Sequence, residues 1–343
     1  MKARILYVGS LRPGGNGLDR VLMFEKAGFE VLRADRFPFM VKGSGIERSV
    51  AARFHIGRSV YAFNQMLQEL AQTGGYDVVF VDKGVWVWPA SLRCLKLAAV
   101  EGLCVHFTPD AQFFENRSRH FFRSLPLYDL AVTTKPFEIE AYRMAGARDL
   151  KLFYQGYGVR LRPVRVSEVH GHLRSEVCFI GHCQPYYAEV LRHLAARVPL
   201  KIWGPNWMTY AARNEWARGV VQGDSCYGED YARALSGAKI AIGLLSKRIP
   251  ETTTTRSFEI PACGTMLLAE RTEEHLALFE EGLEAEFFDT SEECAEKAIY
   301  FLKNEAARER IAAAGLARCR DSGYSTTEQF SAVVDWINTS RGV

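Results

Sequence analysis

No apolar run in this chain approaches the ~18 residues that a membrane helix needs. Its opening apolar stretch, ILYVG, is too short for a secretory h-region and lacks a small-residue cleavage site. A cytoplasmic protein is therefore expected. Cysteines stand at 94, 104, 178, 183, 226, 263, 294 and 319 without one C-x-x-C pair, which argues against a zinc site. Several lie in apolar strands such as EVCFIG and read as small buried hydrophobes. His170 and His172 form an H-x-H with no third ligand nearby, so a solvated linker is the simpler reading and no metal is expected. Asp-x-Asp, a usual cation holder on a nucleotide diphosphate, does not occur. The loop Gly14-Gly15-Asn16-Gly17 lacks the G-x-G-x-x-G dinucleotide fingerprint, which counts against a nicotinamide oxidoreductase. No RNA-binding motif accompanies the basic residues, so a nucleic-acid partner is not expected.

What remains is an ordinary globular composition: 343 residues, 48% hydrophobic and 24% charged, enough for two domains. The net charge of +3 is unevenly spread. Residues 1–165 carry 24 Lys/Arg against 15 Asp/Glu, and residues 166–343 carry 19 against 25. One explanation is chance surface composition. The other is a basic half that meets an anionic partner or membrane surface.

Strands and helices alternate along both halves. ARILYVG runs into a Gly-rich turn, then a helix (LDRVLMFEKAG) and a strand (FEVLRAD). YDVVFVDKG, LCVHFTPD and YDLAVTTK repeat the gesture, which predicts a parallel sheet covered on both faces. The polar text LRPVRVSEVHGHLRSE reads as a linker, after which SEVCFIGHCQPYYAEVLRHLAAR opens a second doubly wound half at Gly181. Domains are expected at 1–165 and 166–325, with 326–343 an amphipathic helix that returns to the first. Ligands of such sheets bind beyond the carboxyl ends of the strands. Facing halves would create a cleft flanked by Gly14, Gly15, Lys83 and Asp110 on one side, and by Gly181, Trp203 and a threonine run on the other.

That run sits in IPETTTTRSFEIPACGTMLLAE, residues 249–270. Threonine is a good N-cap, so a helix from about Thr254 to Ala262, stopped by Gly264, is predicted. Its first turn would present unpaired N–H groups beside Lys247, Arg248 and Arg256, a phosphate site built without a metal. Glu259 could accept from ribose hydroxyls and Glu251 could reach those of a sugar. As plain structure, both are surface glutamates, because an E-x7-E spacing arises readily by chance.

RSFEIPACGTMLLAE resembles the R-x-F-E-x-x-A-C-G block of the CgeB-like branch of the group-1 glycosyltransferases, of GT-B fold. KIWGPNW and YGEDYARALSGAKIAIGLL are similar to that family's preceding segments, and the likeness is most specific from 200 to 320. The resemblance implies an α/β GT-B fold of two Rossmann-like domains, with a nucleotide-sugar donor as co-substrate and no other cofactor. It implies that Glu259 holds the ribose, that Arg256 with Ser257 and Lys247 meets the phosphates, and that Glu251 is the first glutamate of the retaining families' pair. Trp203, Gly204 and Tyr227 would border the donor. Many relatives carry an arginine after VCFIG; here His182 or Lys247 would replace it.

Transfer also needs the acceptor hydroxyl deprotonated, either by a base or by the leaving phosphate. Asp110 at a strand tip is the candidate base, with a turn-capping role as its alternative. His106 lies within a strand, where a core position competes with a place in the cleft. The acceptor is expected to be a sugar, a lipid-linked species or another glycoconjugate. FFENRSRHFFRSLPLY interleaves Arg117, Arg119 and Arg123 with aromatics, a mixture suited to anionic headgroups at the inner face of the membrane.

Overall fold

The computed structural model describes residues 2–13, 15–114 and 116–342. It divides into two compact units, Met1–Tyr154 with Gln329–Val343, and Gln155–Glu328. The chain thus leaves the first unit near Tyr154 and returns at Gln329, a boundary earlier than the polar stretch around 165 suggested.

Unit 1 is built on six strands: β1 (Arg4–Gly9), β2 (Glu30–Asp35), β3 (Val78–Asp82), β4 (Leu103–Thr108), β5 (Leu130–Thr133) and β6 (Leu150–Leu152). They pair in parallel in the order β2-β1-β3-β4-β5-β6. Every residue of VVFVD in β3 is buried, as a strand covered on both faces requires. Leu6, Val8, Val79 and Val81 face one layer, where Phe63 and Leu67 of the helix Arg58–Thr73 pack. That helix buries Val60, Phe63, Asn64 and Leu67, one face of a 3.6-residue period. Phe80 faces the other layer and meets Phe24 and Phe330.

Phe330 belongs to the helix Thr326–Ser340. Its ring lies among those of Phe24, Phe80, Phe107 and Phe153, with centroids 4.8–6.1 Å away. Aromatic burial is what brings the end of the chain back to unit 1.

Unit 2 holds β7 (Ser175–Ile180), β8 (Leu200–Trp203), β9 (Val221–Gly223), β10 (Ala238–Gly243), β11 (Met266–Glu270) and β12 (Glu286–Phe288). They run parallel in the order β12-β11-β10-β7-β8-β9. Alternate residues divide between the two faces: Val177, Phe179, Ile240 and Ile242 enter one core, and Cys178, Ile180, Ala241 and Leu267 the other. A period of two with both sides apolar explains why these strands were legible as short hydrophobic runs.

The stretch expected to be a linker is part of unit 2. Two short 3₁₀ turns, Val166–Glu168 and Gly171–Leu173, set Val169 and Leu173 into its core. Arg160, Arg162 and Arg165 therefore count with unit 2. Unit 1 carries 22 Lys/Arg against 16 Asp/Glu and unit 2 carries 21 against 24, a milder asymmetry than the halves of the sequence show. Most aromatics of FFENRSRHFFRSLPLY turn inward. Phe121 and Leu125 are fully buried, and Phe113 and Phe122 pack against the same core. Phe114 stands 43% exposed beside the exposed Arg117, Arg119 and Arg123, so one aromatic of the segment stays outside with the cations.

Phe330→Ala should cost unit 1 about 3–5 kcal/mol, the range for emptying a buried aromatic site. Urea unfolding followed by far-UV circular dichroism measures it. A loss below about 1 kcal/mol would show that the returning helix is only loosely held.

Candidate active site

In unit 2 the connectivity reverses between β7 and β10, and ligands of open parallel sheets bind beyond the carboxyl ends of strands at such a point. Gly181 follows β7, and the loop leading to the threonine run follows β10. The helix forms over Thr255–Ala262 with Thr254 as N-cap, and Gly264 at φ 74° ends it. A capping box joins Thr254 and Ser257, with the Thr254 N–H donating to Ser257 Oγ at 3.1 Å. The Thr252 hydroxyl donates to Glu274, and its carbonyl accepts from the Thr272 hydroxyl at 2.9 Å. Thr252 and Thr254 are thus engaged in shaping the loop.

Ser257 is buried and its hydroxyl lies 2.8 Å from His275 Nε2. His275 Nδ1 lies 2.7 Å from the Glu270 carbonyl, which can only accept, so Nδ1 carries the proton. Burial lowers the His275 pKa to about 4, leaving a neutral ring whose Nε2 accepts from Ser257. Ser257 thus donates to His275 and accepts from Thr254, which anchors the start of the helix.

Arg256 and Glu259 occupy different surroundings. The Arg256 guanidinium sits 6.0 Å from the Phe179 ring centroid, and its Nε is buried with no hydrogen-bond partner among the described residues. A Cβ on Gly181 would lie 3.5 Å from Arg256 Nη1, so the glycine keeps the backbone close to this cation. Half-buried Glu259 accepts from the Tyr231 hydroxyl at 2.6 Å. Burial raises its pKa, opposed by that hydrogen bond and by Arg256. Glu251 is also half-buried and accepts from the Ser246 N–H at 3.1 Å, bracing the loop after β10.

Lys247 is paired rather than waiting for phosphate. Its ammonium donates to Glu270 and lies 4.6 Å from the Tyr186 ring. Glu270, buried at the end of β11, also accepts from the Leu245 N–H at 2.6 Å and the Tyr186 hydroxyl at 3.2 Å. Sequence reasoning passed over Glu270 and Tyr231. The available signal was a charge ending an otherwise apolar strand, MLLAE.

The turn after β7 packs directly on the turn after β8. Gly204 has φ 140°, and a Cβ there would come 2.0 Å from the Gly181 oxygen, which also accepts from Trp207 Nε1 at 2.9 Å. Trp203 is buried in the unit 2 core, so its ring has no free face for a base. His182 is exposed beside Arg256, and Tyr227 is exposed ahead of the helix Glu229–Ser236.

In unit 1, Gly15 is the N-cap of the helix Asn16–Lys26, and Gly14 lies outside the described residues. Lys83, at φ 68°, pairs with Asp110 through a 2.5 Å contact, and the Asp110 N–H donates to Thr108 Oγ1 at 3.1 Å. His106 is fully buried between Phe121 and Tyr128, with centroids 4.8 and 5.0 Å away, and burial lowers its pKa to about 4. A neutral core ring cannot line a cleft, so the cleft role is corrected. A network not foreseen from sequence lies nearby. Asp82 Oδ2 accepts from the Tyr7 hydroxyl at 2.6 Å and from Arg20 at 2.7 Å, all buried.

Residues 184–334, most of unit 2, match the family model described as glycosyl transferase-like. None of the curated protein sequences matches the chain. Among solved structures, HepE from Anabaena in complex with UDP-glucose aligns at TM-score 0.66 and 16% identity, covering 98% of this chain and 99% of that one. Sucrose-phosphate synthase from Thermosynechococcus elongatus aligns at 0.65 and 13%, covering 99% and 98%. The fold is GT-B, and together with the family match it supports a glycosyltransferase.

The buried His275 has a consequence for stability. Its folded pKa of about 4 lies below the ordinary 6.5, so the stability it contributes is complete above pH 6.5 and is lost as pH falls towards 4. Between pH 7.5 and 5 the loss should be about 2 kcal/mol, and His275→Gln should remove that share. Urea midpoints of both proteins at the two pH values test it. An unchanged acid slope in the variant would place the proton uptake elsewhere.

Proposed function

We propose that this chain transfers a sugar from a nucleotide diphosphate donor held by unit 2 to an acceptor hydroxyl received by unit 1. A UDP-sugar is the donor class favoured, because HepE, of the same fold, is known in complex with UDP-glucose. The observation that carries the reading is the Arg256 guanidinium, with its unsatisfied Nε, in the first turn of a capped helix beside Gly181. Developing charge on a leaving diphosphate would meet this cation and the helix N–H groups, with no metal and no further cofactor. Glu259, oriented by Tyr231, would accept from the ribose hydroxyls. Lys247 would reach the donor only on leaving Glu270.

Departure of the diphosphate breaks the bond to the anomeric carbon, and the acceptor oxygen forms the new one. In a retaining course the leaving phosphate takes the acceptor proton. Glu251 would then hold sugar hydroxyls, and Asp110, paired with Lys83, would orient the acceptor. A glycoconjugate or polysaccharide product made in the cytoplasm suits this reading.

A thermal-shift comparison of UDP-, GDP-, ADP- and dTDP-sugars with NAD should show stabilisation by a nucleotide sugar and none by NAD. Transfer from the selected donor should persist in excess EDTA. Glu259→Ala should weaken nucleotide binding by roughly 1.5–3 kcal/mol, the scale of a lost hydrogen bond to a charged group. Stabilisation by NAD alone would sink the function, and full affinity in the folded variant would sink the ribose assignment.

Contact with an anionic membrane belongs to the same reading, through a different segment from the one first expected. The helix Gly45–Phe54 buries only Ala51 and is secured by a capping box between Ser44 and Glu47. Ile46, Phe54 and Ile56 stand 55–78% exposed, interspersed with Lys42, Arg48, Arg53 and Arg58. Apolar side chains outward among cations suit the headgroup region. Sedimentation should occur with liposomes containing phosphatidylglycerol, weaken as salt rises, and fall in the Ile46→Glu, Phe54→Glu variant at unchanged UDP affinity. Equal sedimentation with neutral liposomes, or none with either, would remove the membrane from the reading.

A further inference from the structure

Arg36 follows β2, at the carboxyl edge of the unit 1 sheet, and its N–H donates to the Gly9 carbonyl at 2.8 Å. The residue is 8% exposed. Its guanidinium lies 5.3 Å from the Trp86 ring centroid but makes no hydrogen bond or ion pair with any described residue, and its Nε is buried and unsatisfied.

Unit 1 also shows what a structural arginine looks like. Arg20, equally buried, donates through Nε and Nη2 to Asp82 at 3.1 and 2.7 Å. Arg36 has three carboxylates within electrostatic range, and none of them forms a hydrogen bond or ion pair with it. Asp35 Oδ1 accepts from the Leu11 and Phe37 N–H groups, Asp82 Oδ2 from Tyr7 and Arg20, and Asp110 Oδ2 pairs with Lys83, while Asp82 Oδ1 is buried without a partner. A buried guanidinium with empty donors is costly, and burial does lower its pKa. Such a cost persists where a ligand supplies the missing acceptors.

We propose that Arg36 recognises a single oxyanion, a carboxylate or a phosphodiester, on the acceptor that unit 1 receives. The claim rests on the reading of unit 1 as the acceptor side. A planar fork of donors fits two oxygens of one anionic group. The neighbouring aspartates oppose a second negative charge, which favours a monoanion over a phosphate monoester. Two sources offer that chemistry: a uronic acid residue and a sugar in phosphodiester linkage.

Isothermal titration with methyl glucuronide, a methyl phosphodiester of glucose, and methyl glucoside separates them, and UDP binding serves as the control for unit 2. At least one anionic probe should bind about tenfold or more tighter than the neutral glucoside, and the stronger one names the source. Arg36→Gln should bring the three to parity while UDP affinity stays unchanged. Arg36→Met, which removes an unpaired buried charge, should leave the melting temperature of the free protein unchanged or raise it. Equal binding of all three probes to the native protein, no binding of either anion, or an anionic preference that survives Arg36→Gln would each overturn the proposal. So would a fall of several degrees in the Met variant, which would mark Arg36 as structural. Failure of UDP to bind the native protein would instead strike the donor reading and leave the Arg36 comparison intact.

Discussion

The hydrogen bond from the Thr254 N–H to Ser257 Oγ fixes the start of the helix on which the donor edge depends. Ser257 can accept it because its own proton goes to neutral His275, and His275 is held in one tautomer by the Glu270 carbonyl. Glu270 ends β11, so the relay ties the helix to the sheet. Its carboxylate in turn holds the loop after β10 through the Leu245 N–H and Lys247. One buried chain thereby positions the first turn, the loop and the strand end together. Arg256 and Glu259 project from that helix, Arg256 over the Phe179 ring of β7 and Glu259 to the Tyr231 hydroxyl.

The relay also explains the run of threonines. A polar loop before a helix must satisfy its backbone groups, and β-branched residues with hydroxyls do so while restricting the chain. Thr252 and Thr254 take these tasks, and both Thr253 and Thr254 are buried. The hydroxyls build the frame, and Arg256 is left as the group with unsatisfied donors. If the edge binds an anion as proposed, scaffold and ligand contact are separated residue by residue.

Local chemistry is what made parts of this legible in sequence. The helix start at Thr254 and its stop at Gly264 are written in adjacent residues, because caps act over three or four positions. Strands buried on both faces show as short apolar runs. Pairs brought together by crossovers are not visible that way. Tyr231 and Glu259 are 28 residues apart, Lys247 and Glu270 are 23 apart, and Arg20 and Asp82 are 62 apart. Parity was the other obstacle. Trp203 ends β8 just before a turn, yet it shares the sheet face of Cys178 and Ile180, which directs its ring into the core. The polar text at 161–175 hid Val169 and Leu173, two apolar residues sufficient to dock it onto unit 2.

Among the described residues, each unit holds one arginine whose buried Nε lacks a partner, Arg256 in the second and Arg36 in the first, at the carboxyl edge of its own sheet. Other buried charges have partners: Asp82 Oδ2 has Arg20 and Tyr7, Glu138 the N–H groups of Gln112 and Phe113, and Glu270 three donors, while Asp82 Oδ1 has none. Folding alone favours satisfied charges, because an uncompensated buried cation subtracts from a net stability of only ~5–15 kcal/mol. The two open arginines are therefore places where a bound anion would return stability. In the proposed reading that anion is the donor's diphosphate for Arg256, and for Arg36 the same physics asks for an oxyanion on the acceptor.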